Sequence, residues 1–228
     1  MNFLKKILCA IGGILFLGIG YADGVREQLG NDSAVLASYD RMVGALEGKV
    51  SKEEMKTIDQ AIAFASKMHV GDKRKDKNTV PYLCYPIDVT YDLVAVGGVY
   101  DSQALVAAIL HDTMRKGDAN TLKQIEAEFG PQVAALVKEL GEYPISAKEK
   151  KQQDLISHAS KEDPVIVEIQ LANLLYNLKE LKQAPPKGWS KEQKDKYVEW
   201  TQTLLKKLPK ANPALEQAVA DSAQEYWK

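Results

Sequence analysis

Beyond residue 32 the apolar positions recur at three- and four-residue intervals, and no stretch alternates with the period of two expected of a half-buried strand. Ala34, Leu36, Tyr39, Met42, Val43 and Leu46 share one helical face, with Asn31-Asp32-Ser33 ahead to cap it and Gly48 behind to stop it. Ser51 and Glu54 have capping-box spacing for a second helix that carries Ile58, Ala61, Ile62, Ala65 and Met68. A basic, polar loop from Gly71 to Val80, closed by Pro81, leads to a helix from Ile87 to Val96 with Pro86 in its first turn. Gly97-Gly98 separates it from Ser102 to Asp112, where Ala104 to Leu110 is apolar on all sides, the pattern of a central helix. Thr121 is read as the cap of a helix to Phe129, and Gly130-Pro131 leads into Val133 to Leu140. Asp163-Pro164 opens a nearly all-apolar helix from Val165 to Leu181, and Tyr197 to Leu208 and Leu215 to Trp227 complete the set. The expected fold is an all-α helical bundle with no significant sheet, without internal repeats or low-complexity segments.

The first residues have a different pattern. Lys5 and Lys6 precede an apolar run from Ile7 to Gly20, and Gly20-Tyr21-Ala22 places small residues at both cleavage-determining positions. That order is a secretory signal peptide with cleavage expected after Ala22, and the run is short against the roughly 20 residues that span a bilayer. The competing reading is an uncleaved N-terminal anchor. Cleavage makes the protein secreted or, in a bacterium, periplasmic, and leaves no membrane span. The expected division is therefore 1–22 leader, 23–50 helical extension and 51–228 main domain. Two dispositions of the extension are open: packed on the domain, or laid over its cleft.

Apolar residues make up 45% and charged residues 27% of the chain, a globular balance. Thirty basic against 31 acidic side chains give a net charge of −1, or −3 once Lys5 and Lys6 leave with the leader. No excess of positive charge points to nucleic acid or an anionic membrane as partner. Cleavage also removes Cys9, so Cys84 has no intramolecular disulfide partner. The lysines around Lys148 to Lys151 read as a solvated helix face, and His158 as an ordinary residue of a polar loop.

His111-Asp112 stands at the end of the most apolar helix. An imidazole and a carboxylate delivered together by a buried helix can converge on one divalent metal. A histidine that merely satisfies helix-end carbonyls is the competing reading. Trp189, Tyr197, Trp200 and Trp227 read as core and docking aromatics rather than a stacking face.

Several separate segments, taken in order, resemble one family. They are His69-Val-Gly-Asp-Lys-Arg74-Lys75, Pro81-Tyr82-Leu-Cys-Tyr85-Pro86, Leu110-His111-Asp112-Thr113, Phe129-Gly130-Pro-Gln-Val133 and Leu171-Ala172-Asn173-Leu-Leu-Tyr176-Asn177-Leu178. With Gly188-Trp189-Ser190 and Tyr197-Val-Glu199-Trp200 they resemble the RelA/SpoT-type hydrolases of the alarmone (p)ppGpp, in the small stand-alone form of the metazoan SpoT homologues. The resemblance runs from about Lys56 to Val219. It implies an HD-domain helical bundle holding one manganese ion through a histidine before a proline, the His-Asp pair and a later aspartate. It further implies a Glu-Asp pair that handles the attacking water, and removal of the 3′-pyrophosphate; some members of the family also act on NADPH.

This chain departs from that pattern where the chemistry is done. Tyr85 stands where the resemblance places the first histidine, Asn173 where it places the aspartate, and Arg115-Lys116 where it places the Glu-Asp pair. His111 and Asp112 remain as a remnant of the metal set. A phenol titrates near 10 and an amide carries no charge, so neither replaces the lost ligand, and catalytic metal sites usually keep three protein ligands. The exchange at 115–116 removes both candidate bases and sets cations where a divalent ion would sit. Cys84, beside Tyr85, is the one soft ligand near enough to substitute. The expectation is therefore an exported, catalytically inactive family member without a cofactor, which binds a phosphorylated nucleotide-like ligand or a protein partner. Its expected binding residues are Arg74, Lys75, Arg115, Lys116, Tyr176 and Asn177. The alternative is an active manganese-dependent (p)ppGpp or nucleotide phosphohydrolase with a rebuilt site.

Overall fold

The computed structural model describes residues 25–74, 80–142, 149–161 and 163–228; the leader segment and Lys75 lie outside them. Residues 25–29 are helical, followed by α1 (Ser33–Leu46), α2 (Lys52–Met68), α3 (Cys84–Ala95) and α4 (Ser102–Leu110). A 3-10 turn (Thr113–Arg115) leads to α5 (Ala119–Phe129), α6 (Pro131–Glu142) and α7 (Glu149–His158). A second 3-10 turn (Ala159–Lys161) precedes α8 (Pro164–Gln183), α9 (Lys191–Leu205) and α10 (Pro213–Glu225). Among the described residues there is no strand, only one antiparallel bridge between Lys73 and Pro81.

The caps show why the helices start where they do. Asp32 accepts from the amides of Ala34 and Val35, and Ser51 and Glu54 exchange both bonds of their box, at 3.2 and 2.7 Å. Thr121 is not the cap of α5. Asp118 caps it, and Thr121, three residues on, returns its hydroxyl to the Asp118 amide. α9 begins six residues before Tyr197, because Ser190 and Gln193 form a third box ahead of a polar first turn that has no apolar period. His158 closes α7 instead of lying in a loop.

α4 is the axle. Every residue from Ala104 to Leu110 is at most 1% exposed, and the helix touches α2, α3, α6 and α8. α8 supplies a second buried column from Ile166 to Leu181 and packs on α3 and α10. α10 comes so close that a Cβ on Gly97 would meet Leu215 Cδ1 at 2.8 Å, and Asn212 fastens the approach by donating to the Gly97 carbonyl at 2.9 Å.

Among the described residues the extension packs on the domain and does not lie over the cleft. α1 lies along α3 and buries Val35, Tyr39, Met42 and Leu46, while Val25 and Leu29 ahead of it join the same core. Arg41 pairs with Asp88 on α3 at 2.7 Å, and Tyr39 donates its hydroxyl to Asp59 on α2 at 2.9 Å. Asp59 is 2% exposed, and burial pushes its carboxyl up to about 6 against the bond from Tyr39. Its unfolded value lies near 4, so the folded state favours the protonated form. The stability it contributes is fully present below about pH 4 and is lost as pH rises through about 6, by roughly 2–3 kcal/mol. Asp59→Asn keeps an acceptor for Tyr39 without the charge. It should melt at a higher temperature than the parent chain at pH 7.5 and near the same temperature at pH 4, by circular dichroism.

Candidate functional site

Three helices meet around the end of α4. His111 follows its last residue, Tyr85 comes from the first turn of α3, and Asn173 and Asn177 stand one turn apart on α8. His111 Nδ1 donates to the Ala108 carbonyl at 2.6 Å, which leaves Nε2 as an acceptor. Nε2 faces the Tyr85 hydroxyl at 3.3 Å and the Asn173 amide nitrogen at 3.4 Å. Tyr85 gives its proton to Asn173 Oδ1 at 2.7 Å, and Asn177 donates to the same oxygen at 2.6 Å. Burial lowers the His111 pKa despite the neighbouring Asp112 carboxylate, and burial raises that of the Tyr85 hydroxyl. The group is thus a closed, uncharged cluster at neutral pH.

These side chains do not fit a divalent metal. The lone pair of His111 that a metal would take is turned on a phenol and an amide. Asp112 accepts from the Tyr82 hydroxyl and pairs with Arg115 at 3.5 Å. Among the described residues no three His, Cys, Asp or Glu side chains converge as a ligand set. Cys84 is no substitute, because it is buried and desolvation pushes its thiol up to about 11.

Of the expected binding cations, Arg74, Arg115 and Lys116 each meet a carboxylate beside this cluster, whereas Lys75 lies outside the described residues. Arg74 chelates Glu180 with Nε at 3.0 Å and a second bond from its terminal nitrogen, and its guanidinium lies 4.2 Å from the Tyr85 ring centroid. Tyr176 and Tyr82 flank it at 5.5 and 5.7 Å. Arg115 stacks 4.7 Å from the Tyr82 ring, and Lys116 reaches Asp72 at 2.5 Å. His69 closes α2 and contacts Asp72 through Nδ1 at 3.3 Å; its buried Nε2 has no hydrogen-bond partner among the described residues. Tyr197, with Trp189 and Trp200, edges a groove of about 610 Å³ between α7 and α9. Trp200 is buried, whereas Trp227 is 45% exposed.

Three contributors had not been singled out from the sequence: Tyr82, Glu180 and Asp72. Glu180 was readable from spacing, because it stands four residues after Tyr176 and so on the same helical face. Asp72 and Tyr82 stand inside two of the segments that carry the family resemblance, but helical spacing assigns them no partner.

The HD-domain family pattern matches residues 61–212, two thirds of the chain. The guanosine-3′,5′-bis(diphosphate) 3′-pyrophosphohydrolase MESH1 of Homo sapiens is 35% identical over 160 residues, 70% of this chain and 89% of that protein. This chain belongs to that HD-domain hydrolase family. The MESH1 of Mus musculus is 34% identical over 166 residues, 73% of this chain and 92% of its own. The solved structure titled "A metazoan ortholog of SpoT hydrolyzes ppGpp and plays a role in starvation responses" superposes with a TM-score of 0.68 at 29% identity, covering 75% of this chain and 95% of the other. α1 precedes the segment that the HD-domain pattern covers.

If the uncharged cluster holds the helices of this HD domain together, its central hydroxyl matters to stability. Tyr85→Phe removes the proton given to Asn173 Oδ1 and leaves the ring in place. The loss should be about 0.5–1.5 kcal/mol by urea denaturation, the usual net worth of one hydrogen bond.

Proposed function

We propose that this chain is an exported, non-hydrolysing member of its family that binds a phosphorylated, nucleotide-like ligand in the inherited cleft. The observation that carries this reading is the orientation of His111 Nε2 toward the Tyr85 hydroxyl and the Asn173 amide, where a metal ligand would need an open lone pair. Arg115 and Lys116 add to it, because the positions that the resemblance assigns to the water-activating carboxylates hold groups that cannot accept a proton at neutral pH. Export is supported by the Lys5-Lys6, Ile7 to Gly20 and Ala22 order of the first residues. Among the described residues no helix is long and apolar enough to cross a membrane.

The ligand class follows from what lines the cleft and from what the relatives are named for. MESH1 is named for a guanosine bis(diphosphate), and here Arg74, Arg115 and Lys116 stand beside Tyr82, Tyr85, Tyr176 and Asn177. Guanidinium groups favour phosphate oxygens and aromatic faces at once.

The test is metal content and turnover of the purified chain. Full-length protein, assayed with ppGpp in added manganese, should hold no stoichiometric metal and release no pyrophosphate. One tightly held metal per chain with product release would overturn the reading in favour of a rebuilt hydrolase. A double variant, Tyr85→His with Asn173→Asp, restores the ligand types that the resemblance implies. It should gain about one equivalent of manganese, because three or four converging protein ligands are then available.

A further inference from the structure

The cation at the heart of this cleft is already bound to an anion, the chain's own Glu180. Arg74 and Glu180 lie 106 residues apart in sequence, yet the guanidinium grips the carboxylate through two nitrogens, with side chains 14% and 15% exposed. The Tyr85, Tyr176 and Tyr82 rings fix the plane of the guanidinium, and the Tyr176 hydroxyl reaches Glu180 Oε1 at 3.4 Å. Bidentate pairing on a carboxylate uses the same donor fork that would seat a phosphate.

The other two cations are held differently. Arg115 and Lys116 are 48% and 44% exposed, and their pairs with Asp112 and Asp72 are solvent-screened contacts worth about 0–1 kcal/mol. They can be exchanged for a ligand at little cost. The Arg74 pair cannot, since removing one partner of a desolvated pair leaves a charge without compensation. Entry of any anion to Arg74 is thus a competition with a carboxylate tethered on α8, whose effective concentration is far above that of a free ligand.

We propose that Glu180 is an internal occupant of the anion position at Arg74 and selects ligands that end in a doubly charged phosphate. This rests on the phosphorylated-ligand reading above and adds to it a substrate class and a selecting residue. A monoanion, such as a carboxylate or a phosphodiester, offers Arg74 the same charge that Glu180 already supplies. It gains nothing to offset the tether. A terminal phosphate brings about one further negative charge and a third oxygen, and Arg115, whose guanidinium lies over the same Tyr82 ring as that of Arg74, offers a further cation for them. Glu180, once displaced, turns to water.

The experiment compares guanosine diphosphate with cyclic guanosine monophosphate, which share base and ribose but differ in having a terminal phosphate or only a phosphodiester. Affinities are read by calorimetry on the full chain, the Glu180→Gln variant and the Glu180→Asp variant. The parent chain should bind the diphosphate and prefer it to the cyclic ester by about tenfold or more. Glu180→Gln keeps the size of the side chain and removes its charge, so it should tighten the cyclic ester by at least about tenfold and shrink the preference. Glu180→Asp keeps the charge on a shorter arm; it should shift both affinities in the same direction by less, and it stands in if the Gln variant does not fold. If the parent binds the diphosphate and neither variant alters affinity or preference, the selecting role is wrong while the binding reading stands. If no form binds either nucleotide, the binding reading itself falls and takes this inference with it.

Discussion

A histidine carried to the end of a fully buried helix must find a partner for each ring nitrogen, and the centre of this protein is arranged around that requirement. α4 is apolar on every side, so it has one place in the bundle and its C-terminus has one position. His111 satisfies Nδ1 locally on the Ala108 carbonyl and turns Nε2 inward. The surroundings must then supply either an ion or a set of neutral groups. Here α3 supplies a phenol and α8 an amide, and Asn177 completes the amide oxygen. Each of these is a neutral hydrogen bond of modest net worth, but leaving any one buried group unpaired costs about 1–3 kcal/mol. That asymmetry makes the cluster a constraint on three helices at once.

Charge in the cleft follows the same logic one layer out. Asp112, Asp72 and Glu180 each face a cation, and the cations are Arg115, Lys116 and Arg74. Without Arg115 and Lys116, Asp112 and Asp72 would face each other's side of the cleft with less to neutralise them. The two cations therefore have a role in the resting protein as well as toward a ligand. Burial separates the three pairs: only that of Arg74 is desolvated, so only it sets a threshold for what can enter.

Much of this was legible in the residues. The all-α class, the central helix and the capping box at Ser51 follow from period and cap chemistry, and the family from motifs in fixed order. What was not legible depended on contacts remote in sequence. No local pattern tells that Arg74 spends its fork on a carboxylate 106 residues away, or that Lys116 meets Asp72 across the cleft. The start of α9 was hidden for another reason: its first turn is polar throughout, and only the Ser190–Gln193 box marks it. The extension read as an appendage because α1 has its own complete cap and face; its partners, Asp59 and Asp88, lie on helices that the family pattern or its flank already accounts for.

Tyr85, Asn173 and Arg115, which depart from the pattern that the resemblance implies, fit one another as a set. An aspartate at 173 with no metal beside it would be a buried carboxylate against a neutral imidazole, a charge that costs several kcal/mol to hold there. A histidine at 85 would bring a second imidazole against His111 Nε2, and one of the two lone pairs would lack a donor. The pair present here resolves both at once, since Tyr85 brings the proton and Asn173 both receives it and returns an N–H. Arg115 pairs with Asp112 and lies against the Tyr82 ring, so a cation at 115 is stabilising, whereas a carboxylate there would leave two acids facing the same ring. Changing Tyr85 to histidine or Asn173 to aspartate alone therefore sets a lone pair or a charge against its neighbours. On the non-hydrolysing reading proposed above, metal binding would need at least two coupled changes.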